Sequence, residues 1–108
     1  MDHAACCANP NDDVHHHGYH ANKDRYQARL KRIEGQVRGL QRMLDEDQYC
    51  IDIITQASAA TSALENVSLA LLEDHIAHCV AAAAREGGEV ADAKIAEAMS
   101  AIKRMVKN

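Results

Sequence analysis

Residues 48–85 read QYCIDIITQASAATSALENVSLALLEDHIAHCVAAAAR, an unbroken run without glycine or proline. Within it Ile53, Ala57, Ala60, Leu64, Val67 and Leu71 recur at alternating intervals of four and three, the apolar seam of a helix that packs on other helices. About 36 helical residues extend roughly 54 Å at about 1.5 Å per residue. A compact globule of roughly 100 residues is only about 25 to 30 Å across. One protomer cannot enclose such a helix, so its seam is predicted to pack against another copy.

Upstream, Tyr26, Leu30, Ile33, Val37, Leu40 and Leu44 repeat the same spacing and predict a helix from about 24 to 45. Gly35 and Gly39 lie four apart within it and would permit close approach of another helix or of DNA. The acidic stretch Asp45, Glu46, Asp47 follows, where negative side chains suit the start of the second helix. Downstream, Gly87 and Gly88 end the long helix, and a third is expected from about 91 to 106, with Ile95, Ala98, Met99, Ile102 and Met105 on one stripe. Residues 1–21 hold Cys6, Cys7, Pro10, the run His15, His16, His17, and His20, with little apolar periodicity. They are expected to be a disordered tail ahead of a helical domain at 22–108.

Composition agrees with an all-α chain. Its 108 residues include twenty alanines, one proline and three tyrosines, with no Phe or Trp. So few large side chains give a protomer little apolar surface to bury, which again favours burial between copies. The net charge of −4 conceals an asymmetry: Lys23 to Arg42 holds seven bases and two acids, for +5. A localised basic helix can supply a phosphate-binding surface on a protein that is acidic overall. No stretch approaches the roughly 20 consecutive apolar residues of a membrane span, and the N-terminus does not read as a signal peptide. A cytoplasmic protein is expected. In that reducing compartment four cysteines point to metal or redox chemistry before disulfides.

His75 and Cys79, four residues apart, share one face of the long helix and can reach one metal ion. Cys50 sits near the start of the same helix, roughly 37 Å away along a straight axis. It cannot join them within one chain, nor form a disulfide with Cys79. If two long helices pack antiparallel, Cys50 of one falls beside His75 and Cys79 of the other, and two-fold symmetry makes two sites. Two thiolates and an imidazole form a soft site that suits Cu(I); Zn(II) or Ni(II) would want a further ligand, from His78, Glu73, Asp74 or the tail. Spacing alone leaves equally open a pair of buried core cysteines and a surface histidine.

Three motifs go further: RLKRIEGQVRGL at 29–40, DEDQYCID at 45–52 and LEDHIAHCV at 72–80. Together they resemble the copper-sensing operon repressor family, CsoR, and the likeness extends over roughly residues 19 to 106. The resemblance implies a three-helix protomer, an antiparallel four-helix-bundle dimer and a dimer of dimers that leaves operator DNA when metal binds. It implies Cu(I) held by Cys50 from one subunit and His75 and Cys79 from the other. It also implies supporting roles for Tyr49 and for Glu97, the latter resembling a third-helix glutamate that pairs with the unligated nitrogen of the ligand histidine. The hinge from Arg85 to Ala93 is about two residues longer than in many members.

No helix-turn-helix signature is present, so DNA binding is assigned to helix one through Arg29, Lys31, Arg32, Arg38 and Arg42. Arg29 matches a family position linked to operator binding. Some relatives are also basic midway along helix two, where this chain has Glu65 and Asn66. A Cu(I)-responsive, DNA-binding homotetrameric repressor is therefore expected, with a copper chaperone as candidate donor. Two alternatives remain: a nickel- or cobalt-responsive repressor drawing auxiliary ligands such as His17 and His20 from the tail, and a copper buffer or chaperone that never touches DNA. No nucleophile and base are placed together, so no enzyme is expected.

Overall fold

The computed structural model describes residues 18–107, and every regular element among them is helical. A 3-10 turn, His20–Asn22, leads into helix α1, Lys23–Asp45. Helix α2 runs Cys50–Glu86 over 37 residues. It is α-helical through Cys50–Asp74, widens into a π-helical turn at His75–Val80 and returns to α-helix at Ala81–Glu86. Helix α3 is Gly88–Lys107. The expected three-helix, strand-free chain is what these residues form.

The acidic stretch closes α1 instead of opening α2. Asp45 is the last residue of α1, and the N–H groups of Asp47 and Gln48 donate back to the carbonyls of Leu44 at 3.1 Å and Met43 at 3.0 Å. Asp47 carries the positive φ, 55°, of this Schellman cap. Glycine usually fills that position, but a short polar side chain tolerates the left-handed conformation better than most. Helix α2 then starts at Cys50, where the Tyr49 carbonyl accepts from Asp52 and Ile53 at 3.1 and 3.2 Å, and Asp52 lies at the positive end of the helix dipole. Tyr49 and Cys50 are thus fixed at the first turn of α2 by backbone hydrogen bonds.

At the other end, the Gly87 N–H caps the Ala83 carbonyl at 3.1 Å. Gly87 and Gly88 have φ values of 73° and 61°, a conformation that side chains with a Cβ disfavour. Two left-handed glycines complete the reversal without a loop, so α3 begins at Gly88 and not near residue 91. A single residue takes the place of the long hinge expected between Arg85 and Ala93.

The chain forms two units, residues 22–69 and residues 70–107 together with 18–21. In the first, α1 and the leading part of α2 form a helical hairpin that buries Tyr26, Ile33, Ala60 and Val67. In the second, α3 packs on the π-helical turn and on Ala81–Glu86, burying Cys79, Ala83, Ala98 and Lys94. Much of each predicted seam stays uncovered: Leu30, Val37, Leu44, Leu64, Ile95 and Met99 are between 41% and 65% exposed. A Cβ at Gly35 or Gly39 would meet nothing within 4 Å. By length and composition alone, with a stretch of mean hydropathy 1.3 that is 17% buried, α2 would suffice to cross a membrane.

Candidate functional site

His75 opens the π-helical turn and Cys79 lies within it. The wider turn still carries residues four apart on the same side, and such turns recur at functional sites. Nothing in the residues HIAHCV announces the widening, since they include neither glycine nor proline. The two side chains differ in exposure: Cys79 is 1% exposed, whereas the His75 side chain keeps 30% of its surface open. Helix α3 supplies the imidazole's neighbour, with Glu97 Oε1 lying 3.5 Å from His75 Nε2. That contact sets a carboxylate against one ring nitrogen, Nε2.

The segment entering α1 crosses the same place. A Cβ on Gly18 would fall 2.6 Å from the Asp74 carbonyl oxygen and 3.4 Å from Cys79 Sγ, so only glycine lets the backbone lie this close. Cys79 is disulfide-bonded in the structure, and Cys50 is a free, exposed thiol. An intrachain Cys50–Cys79 bridge is absent, as the helix length requires. Cys79 could hold a metal only after this bond is reduced, because the thiolate is the ligating form.

Cys50 is the first residue of α2, and the 25-residue stretch Cys50–Asp74 stands between it and His75. Tyr49 beside it is 66% exposed. Among the described residues of one chain, no three His, Cys, Asp or Glu side chains lie together as a metal site. Glu73 and His78 are exposed and Asp74 is half-buried, while His20 is exposed on the 3-10 turn. His17, Cys6 and Cys7 lie outside the described residues. Cys79, once reduced, and the His75 imidazole, with its second nitrogen facing Glu97, would suit a soft, low-coordinate ion such as Cu(I) if a further thiolate joined them.

One participant was not anticipated from the sequence. The Lys94 side chain is 4% exposed, and its Nζ lies 3.6 Å from the same Glu97 Oε1 that faces His75. The i, i+3 spacing of Lys94 and Glu97 on α3 was visible, but lysine is normally solvated, and only packing reveals that this one is buried.

The five bases assigned to DNA do not share one face. At about 100° per residue, Arg29 and Arg32 lie on one side of α1, and Lys31, Arg38 and Arg42 lie roughly opposite. Arg29 and Arg32, with Ile33, Gln36, Ala63 and Asn66, line a recess of about 240 Å³ within the α1–α2 hairpin. Arg38 is exposed and paired loosely with Glu34 at 4.0 Å. The recess adds two amide side chains, Gln36 and Asn66, to the guanidinium groups, and all four are suited to phosphate or base-edge hydrogen bonds.

Residues 22–104 match the metal-sensitive transcriptional repressor family. Over 92 residues the chain is 58% identical to the copper-sensing transcriptional repressor RicR of Mycobacterium tuberculosis (strain ATCC 25618 / H37Rv), covering 85% of this chain and 96% of that protein. Over 87 residues it is 52% identical to the copper-sensing transcriptional repressor CsoR of Bacillus subtilis (strain 168), covering 80% and 83% respectively. Among solved structures, it resembles the copper-sensing repressor CsoR with Cu(I) from Geobacillus thermodenitrificans NG80-2. That likeness has a TM-score of 0.75 and 41% identity, spanning 93% of this chain and 95% of the other.

Proposed function

The chain belongs to the metal-sensitive transcriptional repressor family, and from that premise we propose that it is a Cu(I)-responsive repressor that binds operator DNA when metal-free and leaves it when metallated. The observation that carries the reading is the junction at the π-helical turn, where His75 and, once reduced, Cys79 supply soft donors and His75 Nε2 faces Glu97 of α3. It is supported by relatives that are named copper-sensing repressors.

Twenty-five residues separate Cys50 from His75, which on a straight helix would be about 37 Å of rise, so this reading takes Cys50 from a second chain. An antiparallel pairing of α2 brings it there, giving two equivalent sites in a dimer. The same pairing covers the apolar surface that α2 and α1 leave open, so that surface belongs to a four-helix bundle and not to lipid. Two dimers then assemble as a tetramer. The protein works in the cytoplasm, where reducing conditions keep Cys79 available as a thiolate.

Reduced Cys50 of one chain, with Cys79 and His75 Nδ1 of another, would hold Cu(I), which supplies a cross-link between the two chains. With Nδ1 engaged, the neutral His75 ring carries its proton on Nε2 and becomes a fixed donor toward Glu97 Oε1. Glu97 passes that constraint to α3, and the oligomer shifts toward a conformation with lower DNA affinity. In the metal-free form Arg29 and Arg32 contact phosphates, with Gln36 and Asn66 beside them. Tyr49 sits next to the first ligand and helps order it.

The test is a binding titration, under reducing conditions, of a fluorescein-labelled duplex selected by the apoprotein from a random-sequence pool. Stoichiometric Cu(I) is expected to weaken binding of the parent and to leave Cys50→Ala bound. Equal affinity with and without Cu(I) in the parent would overturn the reading. Failure of the apoprotein to select any duplex would favour a copper buffer in its place.

A further inference from the structure

We propose that Lys94 is a positioning residue for the metal response: its buried ammonium holds Glu97 Oε1 opposite His75 Nε2 and sets how strongly metal at His75 is felt by α3. The inference rests on the repressor reading above and adds a residue to it.

Three observations support it. Lys94 Nζ and His75 Nε2 lie 3.6 and 3.5 Å from the same carboxylate oxygen, so one acceptor serves both groups. The Lys94 side chain is 4% exposed, while the Glu97 side chain is 36% exposed. The ammonium is therefore enclosed, and the carboxylate is the member free to swing toward water. An enclosed charge is retained only where it is paired, and Lys94 and Glu97 are one turn apart on one helix, so the pair moves with α3 as a unit.

The consequence follows from imidazole chemistry. A neutral ring can carry its proton on either nitrogen, so the metal-free His75 is not obliged to donate to Glu97. With Nδ1 ligated, Nε2–H is an obligatory donor. Lys94 keeps the oxygen in place to receive it, so that the added hydrogen bond acts on α3 instead of being lost to a solvated carboxylate. Without Lys94, Glu97 turns to solvent, and metal at His75 is bound but poorly transmitted.

The experiment compares the parent with Lys94→Met, Lys94→Arg, Glu97→Gln and the Lys94→Met/Glu97→Gln pair, each checked for helicity by circular dichroism. Duplex affinity is measured with and without one Cu(I) per chain, and Cu(I) binding by competition with a colorimetric Cu(I) chelator. Lys94→Met is expected to keep Cu(I) stoichiometry while its Cu(I)-induced loss of duplex affinity shrinks at least fivefold. Lys94→Arg should restore most of it, and the double variant should couple no worse than Glu97→Gln alone. Should Lys94→Met fail to fold, Lys94→Gln is read in the same way. Parent-like coupling in Lys94→Met, or losses that add in the double variant, would overturn the inference alone. A parent that does not respond to Cu(I) would overturn the repressor reading and this inference with it.

Discussion

Replacing Gly18 by alanine tests whether the segment before α1 covers Cys79 because of its close approach there. The new Cβ would fall 2.6 Å from the Asp74 carbonyl oxygen, a backbone atom of a helix that cannot swing aside as a side chain would. Overpacking of this kind costs about 1–3 kcal/mol. Residues 18–21 can relieve the clash by lifting away, and this raises the population of the state with Cys79 uncovered. About 1.4 kcal/mol corresponds to a tenfold change, so that population should rise roughly 5- to 150-fold. The assay follows alkylation of the reduced protein by iodoacetamide, with cleavage at Glu73 separating Cys79 from the other three cysteines for mass spectrometry. Cys79, 1% exposed, should react faster in Gly18→Ala by that factor. A Cys79 rate equal to the parent's would refute the claim that Gly18 seats the segment.

Three further outcomes are expected. Arg32→Ala should weaken duplex binding across sequences and reduce the slope of log affinity against log salt by about one, because one phosphate contact is lost; an unchanged slope would remove Arg32 and the recess from the DNA surface. Gly35→Ala, where a Cβ meets nothing within 4 Å, should stabilise the protein in urea unfolding by about 0.5–1 kcal/mol through helix propensity. A loss of stability would mean that another copy closes against that face. Asp47→Val puts a β-branched side chain at φ 55° and should cost about 1–2 kcal/mol in the same assay, whereas Asp47→Gly should cost nothing; equal stabilities for the two variants would refute the cap assignment.

The helices and their apolar seams were legible without a structure, because they depend on local spacing. Apolar residues at intervals of three and four define a helix face wherever they occur, and His75 and Cys79, four apart, share a side in either helical form. The arithmetic of helical rise also separated Cys50 from them and called for a second chain. Boundaries were less accessible. The acidic stretch at 45–47 looked like a helix start because charge suits one, but the backbone hydrogen bonds of Asp47 and Gln48 make it an end. The hinge after Arg85 looked long because two adjacent left-handed glycines leave no signature of how sharply they turn.

Only tertiary structure decided which oxygen meets which nitrogen. The widening of α2 at His75–Val80 has no marker in its own residues. The burial of Lys94 depends on α3 lying against that turn, and the seating of Gly18 depends on a carbonyl 56 residues away in the sequence. Spacing along a helix fixes the direction in which a side chain leaves its own axis. Whether it meets solvent, a carboxylate or a thiol is set by what packs opposite, and that is a property of the folded chain.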